Sequence, residues 1–125
     1  MRRILLDTHV FLWWRQNDPT LTPQARKALS EAEIAFVSMA SAWEVAIKQS
    51  LGRLTLPGSF ADGISASRFE VLPIHFSHID ELIRLPQLHR DPFDRMLVAQ
   101  ARVEKLTLIT RDSQICAYDV KVLLA

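Results

Sequence analysis

A single cysteine, Cys116, stands among 125 residues. A lone thiol cannot close an internal disulfide, so folding needs no oxidising compartment. Cys116 follows Ile115 in an apolar stretch with no histidine beside it in sequence. The expectation is a buried filler rather than a nucleophile. Long apolar runs are missing too: none approaches the ~20 residues that span a bilayer. Met1-Arg2-Arg3-Ile4-Leu5-Leu6 has the outline of a secretion signal. Asp7 breaks its apolar run, however, and no small-x-small cleavage site follows Trp14. A cytoplasmic protein with no membrane segment is expected. There is no surplus of one charge: 15 Lys and Arg meet 14 Asp and Glu, for a net charge of +1. That balance excludes binding of nucleic acid by bulk electrostatics. It leaves room for an enzyme whose basic residues offset an acidic pocket. The chain also lacks charge blocks, low-complexity tracts, internal repeats and Pro/Gly/Ser-rich linkers. A long disordered region is excluded, and one domain over residues 1–125 is the economical reading.

What is present is a run of short apolar segments in a chain that is 49% hydrophobic. Arg3 to Leu6 reads as a buried strand ending at Asp7. A helix follows from Thr8 to Arg15, then a turn at Asn17-Asp18-Pro19. Thr22 caps a helix with Pro23 at its first position, running to about Ala32. Ile34 to Ser38 reads as a second strand. The next helix carries Trp43, Val45, Ala46, Ile47 and Leu51 and stops at Gly52. A helix over Phe60 to Ser67, a strand over Phe69 to Ile74 and a helix over Ser77 to Leu85 come next. Asp91-Pro92 opens the clearest helix, with Phe93, Leu97, Val98, Ala101 and Val103 on its apolar side. Leu106 to Thr110 and Val120 to Leu123 complete the strands. The alternation predicts an α/β fold: a three-layer α/β/α sandwich around a mainly parallel sheet.

Ligands in such sheets bind beyond the carboxyl ends of the strands. Asp7 directly follows the first strand, and Asp112 lies two residues past the fourth. Glu44 sits early in the helix after strand two, and Asp94 starts the helix before strand four. All four carboxylates can therefore reach one edge. Each also has a local explanation. Ser41-Ala42-Trp43-Glu44 fits a capping box. Asp91 and Asp94 fit an N-cap and a dipole-favoured acid in a first turn. Asp112 fits a cap for a short helix at Ser113, and Asp7 a turn with Thr8. The combination favours a site. A carboxylate ending an apolar strand is costly to bury alone, and Asp94 shares a helical face with Leu97, Val98 and Ala101. Converging acids repel unless a cation or protons neutralise them. Oxygen ligands without a His or Cys cluster favour Mg²⁺ or Mn²⁺ over zinc.

Four segments carry a family resemblance: Ile4-Leu5-Leu6-Asp7-Thr8-His9, Ser41 to Lys48, Arg90-Asp91-Pro92-Phe93-Asp94-Arg95 through Ala101, and Leu108-Ile109-Thr110-Arg111-Asp112. In this order the sequence resembles the PIN-domain ribonucleases, especially the toxins of VapBC toxin–antitoxin pairs, from about residue 3 to 123. The resemblance implies cleavage of single-stranded RNA with one or two Mg²⁺ or Mn²⁺ ions. It implies that Asp7, Glu44, Asp94 and Asp112 hold the metal and carry catalysis. It also implies a homodimer and an antitoxin that inserts a peptide near the site. Exposed apolar side chains at Phe11, Trp14 or the helix after Thr22 would be the physical counterpart.

Supporting residues have two readings each. Thr8 and Thr110 can orient ligand carboxylates or cap strand ends. Lys48 can pair with Glu44 four residues earlier or touch phosphate. Arg95 and Arg111 neighbour the acids and can contact an RNA backbone. His9, His75, His78 and His89 form no metal-ligand spacing. Trp13, Trp14 and Trp43 read as core or interface before they read as base-stacking platforms. Two rival readings, one a signalling domain and one an enzyme, fail on residues. A receiver domain needs an Asp ending strand three, where Pro73-Ile74-His75 stands. A haloacid-type phosphatase needs an Asp where His9 stands. The remaining alternative is a catalytically silent RNA- or partner-binding module on the same fold.

Overall fold

Alternation of apolar side chains along short strands dictates two buried faces. The structure, a computed structural model, describes residues 2–125. Strands β1 (Arg3–Leu6), β2 (Ile34–Ser38), β3 (Glu70–Leu72), β4 (Thr107–Thr110) and β5 (Val122–Leu124) form one parallel sheet in the order β3-β2-β1-β4-β5. The helices are α1 (Thr8–Arg15), α2 (Pro23–Glu31), α3 (Met39–Ser50), α4 (Phe60–Ala66), α5 (Phe76–Arg84) and α6 (Pro92–Glu104). Ile4, Leu6 and Ile109 pack with Val10 and Phe11 of α1, Ala25 and Leu29 of α2, and Ile64 of α4. Leu5 and Leu108 point the other way, onto Leu97, Val98 and Ala101 of α6 and onto Leu85. Each such side chain taken out of water contributes about 1.5–3 kcal/mol. The result is the three-layer α/β/α arrangement that the alternation predicts.

The topology decides where a site can form. The chain leaves β1 for β2 and β3 on one side, then crosses to β4 on the other. β1 and β4 are hydrogen-bonded neighbours, with Leu6 opposite Ile109. The crevice at their carboxyl ends is a topological switch point, where ligands of open parallel sheets bind. Asp7 and Thr110 lie directly at it.

Several boundaries differ from expectation for local reasons. α3 begins at Met39, capped by Ser38, whose Oγ accepts the Ala40 N–H at 3.0 Å. A capping box at Ser41 is thus ruled out. Ser41 and Glu44 instead lie inside the helix and are buried. β3 is only three residues long. Phe69 is held in the turn after α4 by its N–H bond to Ile64, and Pro73 has no N–H for the ladder. β5 starts at Val122 rather than Val120, because the Val120 N–H is turned back onto the Tyr118 carbonyl at 2.9 Å, after a 3₁₀ turn over Ile115–Ala117. Ile115 takes the inward place in that turn, which leaves Cys116 exposed rather than buried. Phe11 is core, 2% exposed. Most of the exposed large apolar residues lie instead on α3 and α5, with Trp43 at 62%, Phe76 at 83% and Ile83 at 77%. Trp13 and Trp14 pack against the core, as expected, whereas Trp43 only meets Phe93 edge-on at 5.0 Å. Among the described residues, no helix is long and apolar enough to cross a membrane.

A buried polar strap ties α6 to the ends of β2 and β3. Gln100 Oε1 accepts the Ser38 hydroxyl at 2.6 Å, and Gln100 Nε2 donates to the Pro73 carbonyl at 3.2 Å. Gln100→Leu keeps the shape and strands both partners, each at a cost of about 1–3 kcal/mol. Urea unfolding should show the loss as a lower midpoint; an unchanged midpoint contradicts the role given to Gln100.

Candidate functional site

Each acid of the crevice is set by the element that carries it. Asp7 leaves β1 and caps α1, its Oδ1 accepting the His9 N–H at 3.0 Å. Its Oδ2 accepts the Thr110 hydroxyl at 2.6 Å, across the β1–β4 junction. The same Thr110 oxygen accepts the Asp112 N–H at 3.0 Å, so one side chain sets both acids. Glu44 lies one helical turn inside α3. Thr8 Oγ1 is 2.8 Å from both Glu44 Oε1 and Ser41 Oγ. A hydroxyl has one proton, and the carboxylate can only accept. Thr8 therefore donates to Glu44 and accepts from Ser41. Lys48 Nζ lies 3.4 Å from Glu44 Oε2, the expected i,i+4 pair. Asp91 caps α6 through the N–H groups of Phe93 and Asp94, which leaves Asp94 in the first turn, facing the crevice.

All four acids singled out by sequence, Asp7, Glu44, Asp94 and Asp112, line one cleft of about 390 Å³. Lys48 and Arg111 stand at its rim, with His9 and Trp13. Arg111 is committed to structure: it donates to the Ala125 and Thr20 carbonyls and covers the Trp13 ring at 4.9 Å. Arg95 is not brought to the cleft. Its guanidinium reaches back to the Leu82 and Leu85 carbonyls at the end of α5, 3.4 Å from each.

Sequence reasoning missed His89. Its Nε2 lies 2.9 Å from Asp112 Oδ2 and 3.1 Å from Asp94 Oδ2. Donor atoms of His89, Asp94 and Asp112 all fall within 4.8 Å of one another. The signal was the His89-Arg90-Asp91 approach to the α6 cap, which no histidine-to-histidine spacing reveals.

The electrostatics are those of crowded acids. Burial pushes Asp94 up to about 7, and the charges of Asp7, Asp91 and Glu44 add to it, while His89 opposes. Burial also raises Asp7, against the Thr110 and His9 hydrogen bonds. For Asp112 burial acts upward, but the His89 and Gln114 hydrogen bonds outweigh it and the group is lowered. Carboxylates that outnumber the basic groups facing them, Lys48 and His89 with His9 and Arg111 at the rim, are the chemistry that a divalent cation fits. Oxygen donors suit hard ions. The cleft also leaves room for a phosphate ester beside the acids.

Comparison with known proteins returns one family and several solved structures. The model described as "PIN domain" matches residues 4–121. The toxin–antitoxin complex from Klebsiella pneumoniae is similar at 20% identity and a TM-score of 0.65, over 96% of this chain and 95% of that one. FitAcB from Neisseria gonorrhoeae is similar at 20% identity and TM-score 0.66, over 96% of each chain. DNA-bound VapBC from Salmonella typhimurium is similar at 15% identity and TM-score 0.67, over 99% and 98%. At these identities the solved structures share the fold. The comparison with curated proteins returns no match.

The raised Asp94 group has a consequence for stability. The folded state holds its proton up to about pH 7, whereas the unfolded chain releases it near 3.8. More protons bound when folded means that stability falls as pH rises between those values. A cation must displace that proton, so it stabilises more at high pH. In EDTA, Asp94→Asn should flatten the decline in Tm across this window. Added Mg²⁺ should raise the wild-type Tm more at about pH 8 than at about pH 5; equal increments at both contradict the assignment.

Proposed function

Because the chain belongs to the PIN-domain family, we propose that it is an endoribonuclease that hydrolyses RNA phosphodiesters with Mg²⁺ or Mn²⁺. The carrying observation is the meeting of Asp7, Glu44, Asp94 and Asp112, from four separate segments, in one cleft at the β1–β4 switch point. In this reading the four acids hold the cation. Bound there, a divalent ion would supply charge to neutralise the phosphate and to activate water. Thr8 and Thr110 keep Glu44 and Asp7 in place through their hydroxyl protons. Lys48, part-exposed at the rim, can exchange its bond to Glu44 for a phosphate oxygen. The cytoplasm, where RNA is plentiful, is the proposed place of action.

The solved relatives are described as toxin–antitoxin, VapBC and FitAB complexes. That supports a toxin role for this chain, with an antitoxin as partner. A homodimer is the second assembly proposed. Its support is the exposed apolar side chains of α3 and α5, which are more than a monomer needs at its surface. Ile83→Glu should convert a dimer to a monomer in light scattering without lowering Tm. An unchanged mass for a wild-type dimer would place the contact elsewhere.

Activity is tested by incubating RNA with the protein in Mg²⁺ and in EDTA. Asp7→Asn and Asp94→Asn should each lower the Mg²⁺-dependent rate by more than the roughly 10–100-fold that loss of an outer-shell partner costs. Wild-type rates in both variants would sink the site. Metal binding without cleavage of any RNA would favour the silent binding module on the same fold.

A further inference from the structure

We propose that His89 is a positioning residue for the cation site: it clamps Asp94 and Asp112 as a hydrogen-bond donor and is not itself a ligand. The inference rests on the reading of those two acids as cation ligands. It starts from the tautomer. His89 Nδ1 lies 3.2 Å from the Asp91 backbone nitrogen, which can only donate. Nδ1 is therefore the acceptor, and the ring proton sits on Nε2. That proton points to Asp112 Oδ2 at 2.9 Å, with Asp94 Oδ2 3.1 Å away. A nitrogen carrying a proton has no lone pair for a metal. Ligation through Nε2 would require the proton on Nδ1, which would break the bond to Asp91, the residue that caps α6.

The loop bearing His89 is fixed independently of the acids. The Tyr118 hydroxyl accepts the N–H groups of Leu88 at 3.2 Å and His89 at 2.9 Å. Tyr118 is 4% exposed and packs against Leu97 and Leu108 in the core beneath α6. The donor is thus anchored to the core and presented to two carboxylates from different elements. Asp94 rides on α6, and Asp112 follows β4. Without the donor these two groups repel and drift apart. With it, they are held at a cation's spacing before any cation arrives. Hydrogen-bond partners behind metal ligands act in this way, and their loss costs about 10–100-fold in metal affinity.

The test uses the full chain, Mg²⁺ as probe, and two substitutions. Calorimetric titration should show His89→Ala binding Mg²⁺ about 10–100-fold more weakly than wild type. His89→Gln, whose Nε2–H can stand near the lost donor, should recover most of that affinity. ¹⁵N shifts of His89 should report a protonated Nε2 and an accepting Nδ1 both before and after Mg²⁺ is added. Equal affinity in His89→Ala and wild type overturns the proposal. So does a switch of the ring proton to Nδ1 on metal binding, or a Zn²⁺ preference that His89→Ala abolishes. Those results would make His89 a ligand or a bystander. A wild-type protein that takes up no Mg²⁺ sinks the cation reading, and this proposal with it. The two failures are separate, because His89→Ala can fail to weaken binding only where the wild type binds.

Discussion

Carboxylates crowded into one partly buried cleft repel each other, and the rest of the site is organised around that repulsion. Burial first, and then the charges of Asp7, Asp91 and Glu44, carry Asp94 to about 7. An isolated acid in this place would give up its charge or move into water. The chain prevents the second outcome with short, mostly uncharged devices. Thr110 holds Asp7 and Asp112, Thr8 holds Glu44, and the backbone of α1 holds Asp7 from its other oxygen. Hydroxyls and N–H groups fix direction without cancelling charge. The excess negative charge is thus kept in place rather than removed.

The fold makes this crowding affordable because the acids arrive on rigid elements. β1 and β4 are buried on both faces, and their carboxyl ends cannot separate without breaking the parallel ladder between them. α3 delivers Glu44 from its second turn and α6 delivers Asp94 from its first, where a helix N-terminus favours negative charge. The Ser38–Gln100–Pro73 strap joins those two helices to the sheet just behind the cleft. Packing, capping and polar satisfaction therefore act on the same small region.

Much of this was legible in the sequence, and the parts that were not have physical reasons. An acid at or just past the end of an apolar run marks a strand's carboxyl end, so the sequence alone places Asp7 and Asp112. Asp91-Pro92 announced the start of α6 and so the position of Asp94. Glu44 was placed correctly on its helix, and only the alternative of a capping box at Ser41 fails. Ser38 both ends β2 and caps α3, so strand and helix abut with no loop between them. Ser41, three residues on, offered the same capping chemistry in an equally suitable setting. His89 was invisible for a different reason. Its position depends on the Tyr118 hydroxyl, 29 residues away, gripping a loop that has no periodicity. Cys116 misled in a third way: its apolar stretch reads as core, yet the 3₁₀ turn that buries Ile115 carries the thiol outward.

The four separated acids that meet at the β1–β4 switch point are proposed to form one cation site. Crystals grown with Mn²⁺ and measured near its absorption edge test this most directly. The expected result is an anomalous peak in the cleft, held directly or through bound water by oxygens of Asp7, Glu44, Asp94 and Asp112. Crystals without a peak there, or with the peak held by other residues, would contradict it.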